Sequence, residues 1–274
     1  MSPQYGLGDA VTGRTAADLF DLRDRSALIT GATGALGAAA AHTLAAAGAK
    51  LALAAGSSRE LAALVSELKA GGACVTGIER RADTEADATA IADAAMGAHG
   101  GIDVLVVASG TNEAAPIELL SVESWERVMD ANVRASWLMA RAVGPRMIAQ
   151  GRPGKVVLIS STRGKLGHPA GYSAYCPSKS AIDGLARALA CEWGKHRICV
   201  NAIAPTVFRS KLTEWMFADE GRGRQTREAM LQRIPLGRLG EPEDLMGILL
   251  YLVSPAADFC TGQTIYVDGG YTAG

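Results

Sequence analysis

Short apolar runs recur along this chain at 26–30, 50–54, 73–78, 102–108, 154–160, 198–203 and 263–267, and each reads as a strand. Between them, over 35–47, 58–70, 84–99, 121–149, 175–195 and 241–253, the patterning is longer and helical. Strands that alternate with helical crossovers predict a parallel sheet, because a parallel connection needs a long return path. The pattern therefore predicts an α/β fold: one doubly wound, seven-stranded parallel sheet with helices on both faces, in a single domain.

Two segments break the alternation. Residues 1–20 form a leader before Phe20-Asp-Leu-Arg-Asp-Arg25, read as surface-bound or mobile, so that the domain proper spans 21–274. The connection 206–240 is unusually long and carries Phe208, Leu212, Trp215, Met216 and Phe217, then Gly221-Arg-Gly-Arg224. Its length and helical content predict a substrate lid.

Composition narrows the function classes. With 49% hydrophobic and 5% aromatic residues, Ala, Val, Leu and Ile suffice for a large core with closely packed helices. A formal charge of -1 gives no electrostatic reason to expect nucleic acid or an anionic membrane, so the expected partner is a small molecule. The five cysteines are widely spaced, without a Cys-x-x-Cys pair or a His at ligand spacing, which predicts reduced thiols and no metal site. No stretch resembles a secretory signal, and none approaches about 18 uninterrupted apolar residues, so a soluble cytoplasmic protein is expected.

The chemistry lies in two motifs. Thr30-Gly31-Ala-Thr-Gly34-Ala-Leu-Gly37 joins the first strand to the first helix, where glycines permit a tight turn and backbone amides approach a pyrophosphate. Tyr175 and Lys179 sit four residues apart on one helix face, beyond a strand ending in Ser160-Ser161. There the ammonium is expected to favour phenolate and lower a pKa that is normally about 10, making Tyr175 a proton donor and acceptor. Ala54-Ala55-Gly56-Ser57-Ser58-Arg59, at the end of the second strand, offers no carboxylate for a ribose 2′-hydroxyl before Glu60. Ser57, Ser58 and Arg59 instead suit a 2′-phosphate, which favours NADP(H) modestly over NAD(H).

These motifs, with Asp83, Asn132, Asn201-Ala-Ile-Ala-Pro205 and Thr261-Gly-Gln-Thr-Ile-Tyr-Val-Asp268-Gly-Gly270, resemble the short, single-domain branch of the short-chain dehydrogenase/reductase family over 20–271. The resemblance implies a Rossmann fold and hydride transfer between a nicotinamide cofactor and a ketone or secondary alcohol. It implies catalysis by Tyr175, with Ser161 bonded to the reacting oxygen, Lys179 lowering the tyrosine pKa and binding ribose, and Asn132 holding a water-linked proton path. It also implies cofactor contacts at Gly31, Thr33, Gly34, Leu36, Gly37, Asp83, Ala108, Gly110, Pro205 and Val207, and a homotetramer packed through 121–149 and 175–195. Trp137, Met139, Met147, Leu185, Leu189 and Trp193 offer the apolar surface for that assembly.

The chain departs from the family pattern at Ala35, which replaces the middle glycine, at Val107-Ala-Ser-Gly110, and at Thr206. Ser160 and Thr162 remain alternative donors, since Ser161 precedes Tyr175 by fourteen residues, one more than is common. Tyr172, seven residues before Lys179, matches the spacing of enoyl reductases in the family. An epimerase or dehydratase would share the glycine spacing but be longer, and a catalytically silent dinucleotide sensor could lose both tyrosine and lysine. Arg163, Lys165 and His168 are candidates to receive an acidic or hydroxylated substrate group.

Overall fold

All seven apolar runs become strands of one parallel sheet in the computed structural model, which describes residues 13, 15–211, 213–218 and 220–274. They are β1 (Ser26–Thr30), β2 (Lys50–Ala55), β3 (Val75–Glu79), β4 (Val104–Val107), β5 (Gly154–Ile159), β6 (Ile198–Pro205) and β7 (Thr264–Val267), in the order β3-β2-β1-β4-β5-β6-β7. The central strands β1, β4 and β6 are buried along their whole length. That is why they read as continuous apolar runs and not as alternating ones.

A short helix α1 (Ala16–Phe20) precedes the sheet, started by a Thr15–Asp18 capping box. Residues 1–12 and 14 of the leader lie outside the described residues. One sheet face is covered by α2 (Ala35–Ala46), α3 (Ser58–Ala70) and α9 (Met246–Val253), which pack Leu44, Leu61, Leu64, Leu249 and Leu252 onto β1, β2 and β4. The other is covered by α4 (Glu85–His99), α6 (Ala135–Gln150) and α7 (Tyr175–Trp193), through Ile91, Met139, Val143, Met147 and Ile182. Strand order reverses between β1 and β4, and a crevice opens beyond their carboxyl ends.

Three departures from the sequence reading matter for the site. The 121–149 stretch is not one helix: α5 (Val122–Met129) passes into a π-helical turn at Asp130–Arg134 before α6 begins. The apolar residues of 206–240 do not form one cluster. Phe208 is buried in the main core against Gly240, whereas Met216, Met230, Ile234 and Leu239 build a separate small core on Tyr271, and Trp215 is half exposed. The Phe208–Gly240 backbone bridge ties the segment's ends together, so the described residues between them, including α8 (Gly221–Leu231), form an arch over that second core. Leu212 lies outside the described residues. Finally, Met139, Met147 and Leu189 face their own sheet, and Trp193 packs where a Gly144 side chain would stand. Of the apolar surface anticipated on α6 and α7, Trp137 and Leu185 remain on the outside, beside Met129, Val133, Ala181 and Ala188.

Candidate active site

The crevice begins at the β1–α2 turn. Gly31 adopts φ 67°, and a Cβ there would stand 2.5 Å from the Ser109 amide nitrogen and 2.7 Å from the Ala108 carbonyl carbon. A side chain is thus doubly excluded, by conformation and by space. A Cβ on Gly37 would land on the Gly31 carbonyl oxygen, so this glycine lets helix and turn pack together. Gly34 occupies the N-cap of α2 with no side-chain cap, and the first turn holds no acidic residue. The outermost amides of α2 therefore point their donors, and the positive end of the helix dipole, into the crevice. Ala35 opens the helix, Leu36 packs half-buried against the sheet, Thr33 is half-buried in the turn, and the buried Thr30 Oγ1 has no partner among the described residues. These residues fit a dinucleotide's pyrophosphate: an uncapped, glycine-lined helix terminus is an anion site.

At the end of β2, Ser57 caps α3 by position, and Ser58 and Arg59 are exposed in its first turn. Glu60 is held below the usual carboxylate range, chiefly by its hydrogen bond and ion pair with Lys211 of the long connection. Arg81, which no sequence pattern flagged, lies across Gly56: a Cβ there would come within 2.7 Å of Arg81 Cδ. Ala55 pairs with Glu79 in the sheet, so Arg81 leaves the end of β3 beside the end of β2. Its Nε is 3.4 Å from Asp83 Oδ1, and both side chains are largely exposed.

Across the switch point, β5 delivers Ser160 and Ser161 to the start of α7. The Tyr175 hydroxyl lies near the Ser161 side chain, which acts to favour its phenolate. Ser160 Oγ instead donates to the Lys179 carbonyl at 3.2 Å. Thr162 opens a short 3₁₀ turn, whose next amide, that of Arg163, donates to Ser161 Oγ at 3.1 Å. Lys179 Nζ donates to the Ile159 carbonyl at 2.9 Å and lies 5.7 Å from the Tyr175 ring centroid. Tyr172 meets the Tyr175 ring edge-on at 5.8 Å and stacks on His168 at 4.6 Å.

The expected direction of the tyrosine shift is reversed. Burial pushes the Tyr175 phenol up to about 12, and the neighbouring Ser161 side chain opposes this without overcoming it. Burial also pushes Lys179 down to about 8, so the same desolvation that penalises phenolate weakens the cation meant to support it.

Asn132 is 1% exposed at the heart of the π turn. Its Oδ1 accepts from the Thr111 amide at 2.7 Å, and its Nδ2 donates to the Thr111 carbonyl and to Ser178 Oγ, both at 2.9 Å. It therefore joins the β4 loop to α7 and makes no direct bond to Lys179. A Cβ on Gly110 would meet Asn132 Oδ1 at 2.9 Å and Lys179 Nζ at 3.6 Å, which brings Gly110, Asn132 and Lys179 into one neighbourhood. Ser178 is buried and donates to the Tyr175 carbonyl at 2.7 Å; its adjacency to Lys179 was the only signal for it in the sequence. Ala108 follows β4, with its amide bonded to Thr30, while Pro205 ends β6 with Val207 just beyond.

A glycine-lined crevice at a sheet's switch point, beside a Ser-Tyr-Lys group in which Ser161 and Lys179 are buried and Tyr175 is partly exposed, defines a dinucleotide-fold oxidoreductase. The chain belongs to the short-chain dehydrogenase/reductase family. A family model described as enoyl-(acyl carrier protein) reductase matches residues 31–272. An uncharacterized oxidoreductase of Mycobacterium tuberculosis is 57% identical over 254 residues, covering 93% of each chain. Gluconate 5-dehydrogenase of Gluconobacter oxydans is 35% identical over 258 residues, 93% of this chain and 97% of the relative. Among solved structures, a gluconate 5-dehydrogenase from Burkholderia cenocepacia in complex with NADP and tartrate superposes with a TM-score of 0.89 at 30% identity, over 95% of this chain and all of that one.

Proposed function

We propose that this oxidoreductase transfers hydride between NADP(H) and a ketone or secondary alcohol, with Tyr175 as the general acid and base. The observation that carries the reading is the hydroxyl pair of Tyr175 and Ser161, with Lys179 behind the ring. When bound, the nicotinamide supplies or accepts the hydride. Tyr175 gives its proton to the substrate oxygen during reduction and takes it back during oxidation. Ser161 donates to the same oxygen, and two fixed donors aimed at a developing alkoxide lower the barrier, the proton transfer alone by about 10²- to 10⁴-fold. Lys179, charged at neutral pH, favours the phenolate that exists only during transfer. Asn132 fixes the Gly110–Thr111 loop and the first turn of α7, and so positions Lys179 against the crevice.

The cofactor preference rests on the missing carboxylate at 54–59 and on two guanidinium groups, Arg59 and Arg81, at the ends of β2 and β3. It is consistent with the NADP bound to the Burkholderia enzyme. The reading extends to a soluble cytoplasmic homotetramer in which 206–240 acts as a lid. No helix among the described residues is long and apolar enough to cross a membrane.

Tyr172 is the rival proton donor, and its ring is engaged with His168. The test is NADP-linked turnover of a panel of secondary alcohols by Tyr175→Phe and Tyr172→Phe. Tyr175→Phe should lose at least about 10²-fold in kcat while still binding NADPH, because only the transferable proton is gone. A fully active Tyr175→Phe, or an inactive Tyr172→Phe beside it, overturns the assignment.

A further inference from the structure

Two residues beyond Ser161, Arg163 is buried to 7% exposure. Its Nη1 donates to the Gly167 carbonyl at 2.8 Å and its Nη2 to the Tyr271 hydroxyl at 2.9 Å. Two of its five N–H groups are accounted for by those neutral acceptors. Among the described residues no carboxylate lies within ion-pair distance of it, whereas the buried Asp103 is paired with Arg25 and Arg152, and the buried Lys155 with Asp258. Burying a guanidinium without a counter-charge costs several kcal/mol, a cost normally met by pairing.

A second, solvent-exposed cation stands on the same ring. Arg233, from the end of the lid segment, lies over the same Tyr271 ring, its guanidinium carbon 4.3 Å from the centroid where that of Arg163 is 5.4 Å. Arg233 too has no carboxylate partner among the described residues. His168 stands on the same side: burial first, then both arginines, hold its imidazole below the usual histidine range, so it adds a neutral hydrogen-bonding group. Its stacked neighbour Tyr172 touches Tyr175 in turn, and Arg163 is close enough to Tyr175 to act on its proton. Like charges gathered around one ring, one of them acting on the reacting tyrosine, lack a single component, an anion.

Building on the hydride-transfer reading, we propose that Arg163 and Arg233, with His168, form a receptor for an anionic group on the substrate, so that the natural substrate is an acidic hydroxy or oxo compound. Its anion is a carboxylate or a phosphate ester, and either would be held by the planar donor fork of Arg163 while Arg233 closes over it with the lid. The substrate's alcohol carbon is thereby oriented toward Tyr175 from a fixed charged end.

The test uses the full-length protein with NADP⁺ and two matched pairs of probes, gluconate with gluconamide and sorbitol 6-phosphate with sorbitol. The readouts are kcat/KM for NADPH formation and the rise in melting temperature caused by each probe, which needs no turnover. The charged member of one pair should be preferred by about 10- to 100-fold, the range of a charge-assisted hydrogen bond. A preference confined to the first pair assigns a carboxylate, and one confined to the second a phosphate. Arg233→Gln, at an exposed position, and Arg163→Lys should each shrink the ratio within that pair by about tenfold. A purely structural role for Arg163 would lower both members together and leave the ratio intact. Equal use of charged and neutral members in both pairs, or a ratio untouched by both substitutions, overturns the proposal. If no probe is turned over while simple secondary alcohols are, a melting shift by either anion that Arg233→Gln abolishes supports the receptor, and no shift overturns it. Absence of NADPH from every alcohol would remove the hydride-transfer reading instead, with the melting shifts still judging the anion receptor.

Discussion

Lys179, to which the proposed mechanism gives a role, is held at the expense of the fold. Its ammonium is enclosed by Ile159, Tyr175 and the β4 loop, with a single carbonyl to bond, and its pKa falls to about 8. Because the folded value lies below the unfolded value of about 10.4, burial penalises the charged form fully below pH 8. The penalty fades as pH climbs toward about 10.4, where the unfolded chain also loses the proton. Lys179→Met should therefore stabilise the protein by about 2 kcal/mol at pH 7, while abolishing turnover, and the gain should shrink between pH 8 and pH 10. Denaturant unfolding across that range checks it. A variant less stable than the parent at pH 7, or a pH-independent difference, would contradict the burial account. The i, i+4 spacing of Tyr175 and Lys179 was legible in the sequence, but the sign of the tyrosine shift was not. Spacing reports that a cation is near a phenol; only the packed structure reports that desolvation dominates the shift of both.

At the level of elements, the strands were legible because burial on both faces leaves no polar alternation to misread, and β1 and β2 begin where the apolar pattern begins. The π turn at Asp130–Arg134 was not legible, since one extra residue in a helical turn leaves the flanking periodicity nearly unchanged. Asn132 was singled out by resemblance alone, and the turn explains why a polar side chain can point inward there. Arg81 escaped notice for a different reason: its contact with Gly56 joins the ends of adjacent strands, and no local pattern encodes sheet order. On the proposed reading, cofactor choice belongs to two elements together. Arg59→Ala and Arg81→Ala should each reduce kcat/KM with NADP⁺ by about tenfold while changing NAD⁺ use little, as expected for loss of one exposed charge-assisted contact to a 2′-phosphate. Parallel kinetics with the two cofactors decide it. A strong native preference for NAD⁺ would remove both arginines from the site.

At the scale of the whole molecule, two surfaces remain to be used. On the outer side of α6 and α7, Trp137 is 48% exposed beside Met129, Val133, Leu185 and Ala188, an apolar groove narrower than the sequence implied because Met139, Met147 and Leu189 turn inward. Helix-to-helix contact with a second copy would cover it. Light scattering at micromolar concentration should give four times the mass of a 28.3 kDa chain, and Trp137→Glu should yield smaller species. A wild-type monomer would rule the assembly out.

The arch at 206–240 is the other surface, and its attachments are uneven. Its ends are fixed by the Phe208–Gly240 bridge, its underside rests on Tyr271 through Met216, Met230 and Ile234, and Lys211 reaches across to Glu60 of α3 through an exposed ion pair of the kind worth at most about 1 kcal/mol. A segment tied at both ends, resting on a small core and latched weakly to α3 beside the crevice, suits closure over an occupied site. Filling the crevice would stiffen the latch and the core together, excluding water from the path between cofactor and Tyr175. Hydrogen exchange in 206–240 should accordingly slow when NADP⁺ and a substrate bind together, and less when NADP⁺ binds alone. Strong protection of the whole segment already in the free protein, unchanged by either ligand, would make the arch a permanent wall of the site instead of its lid.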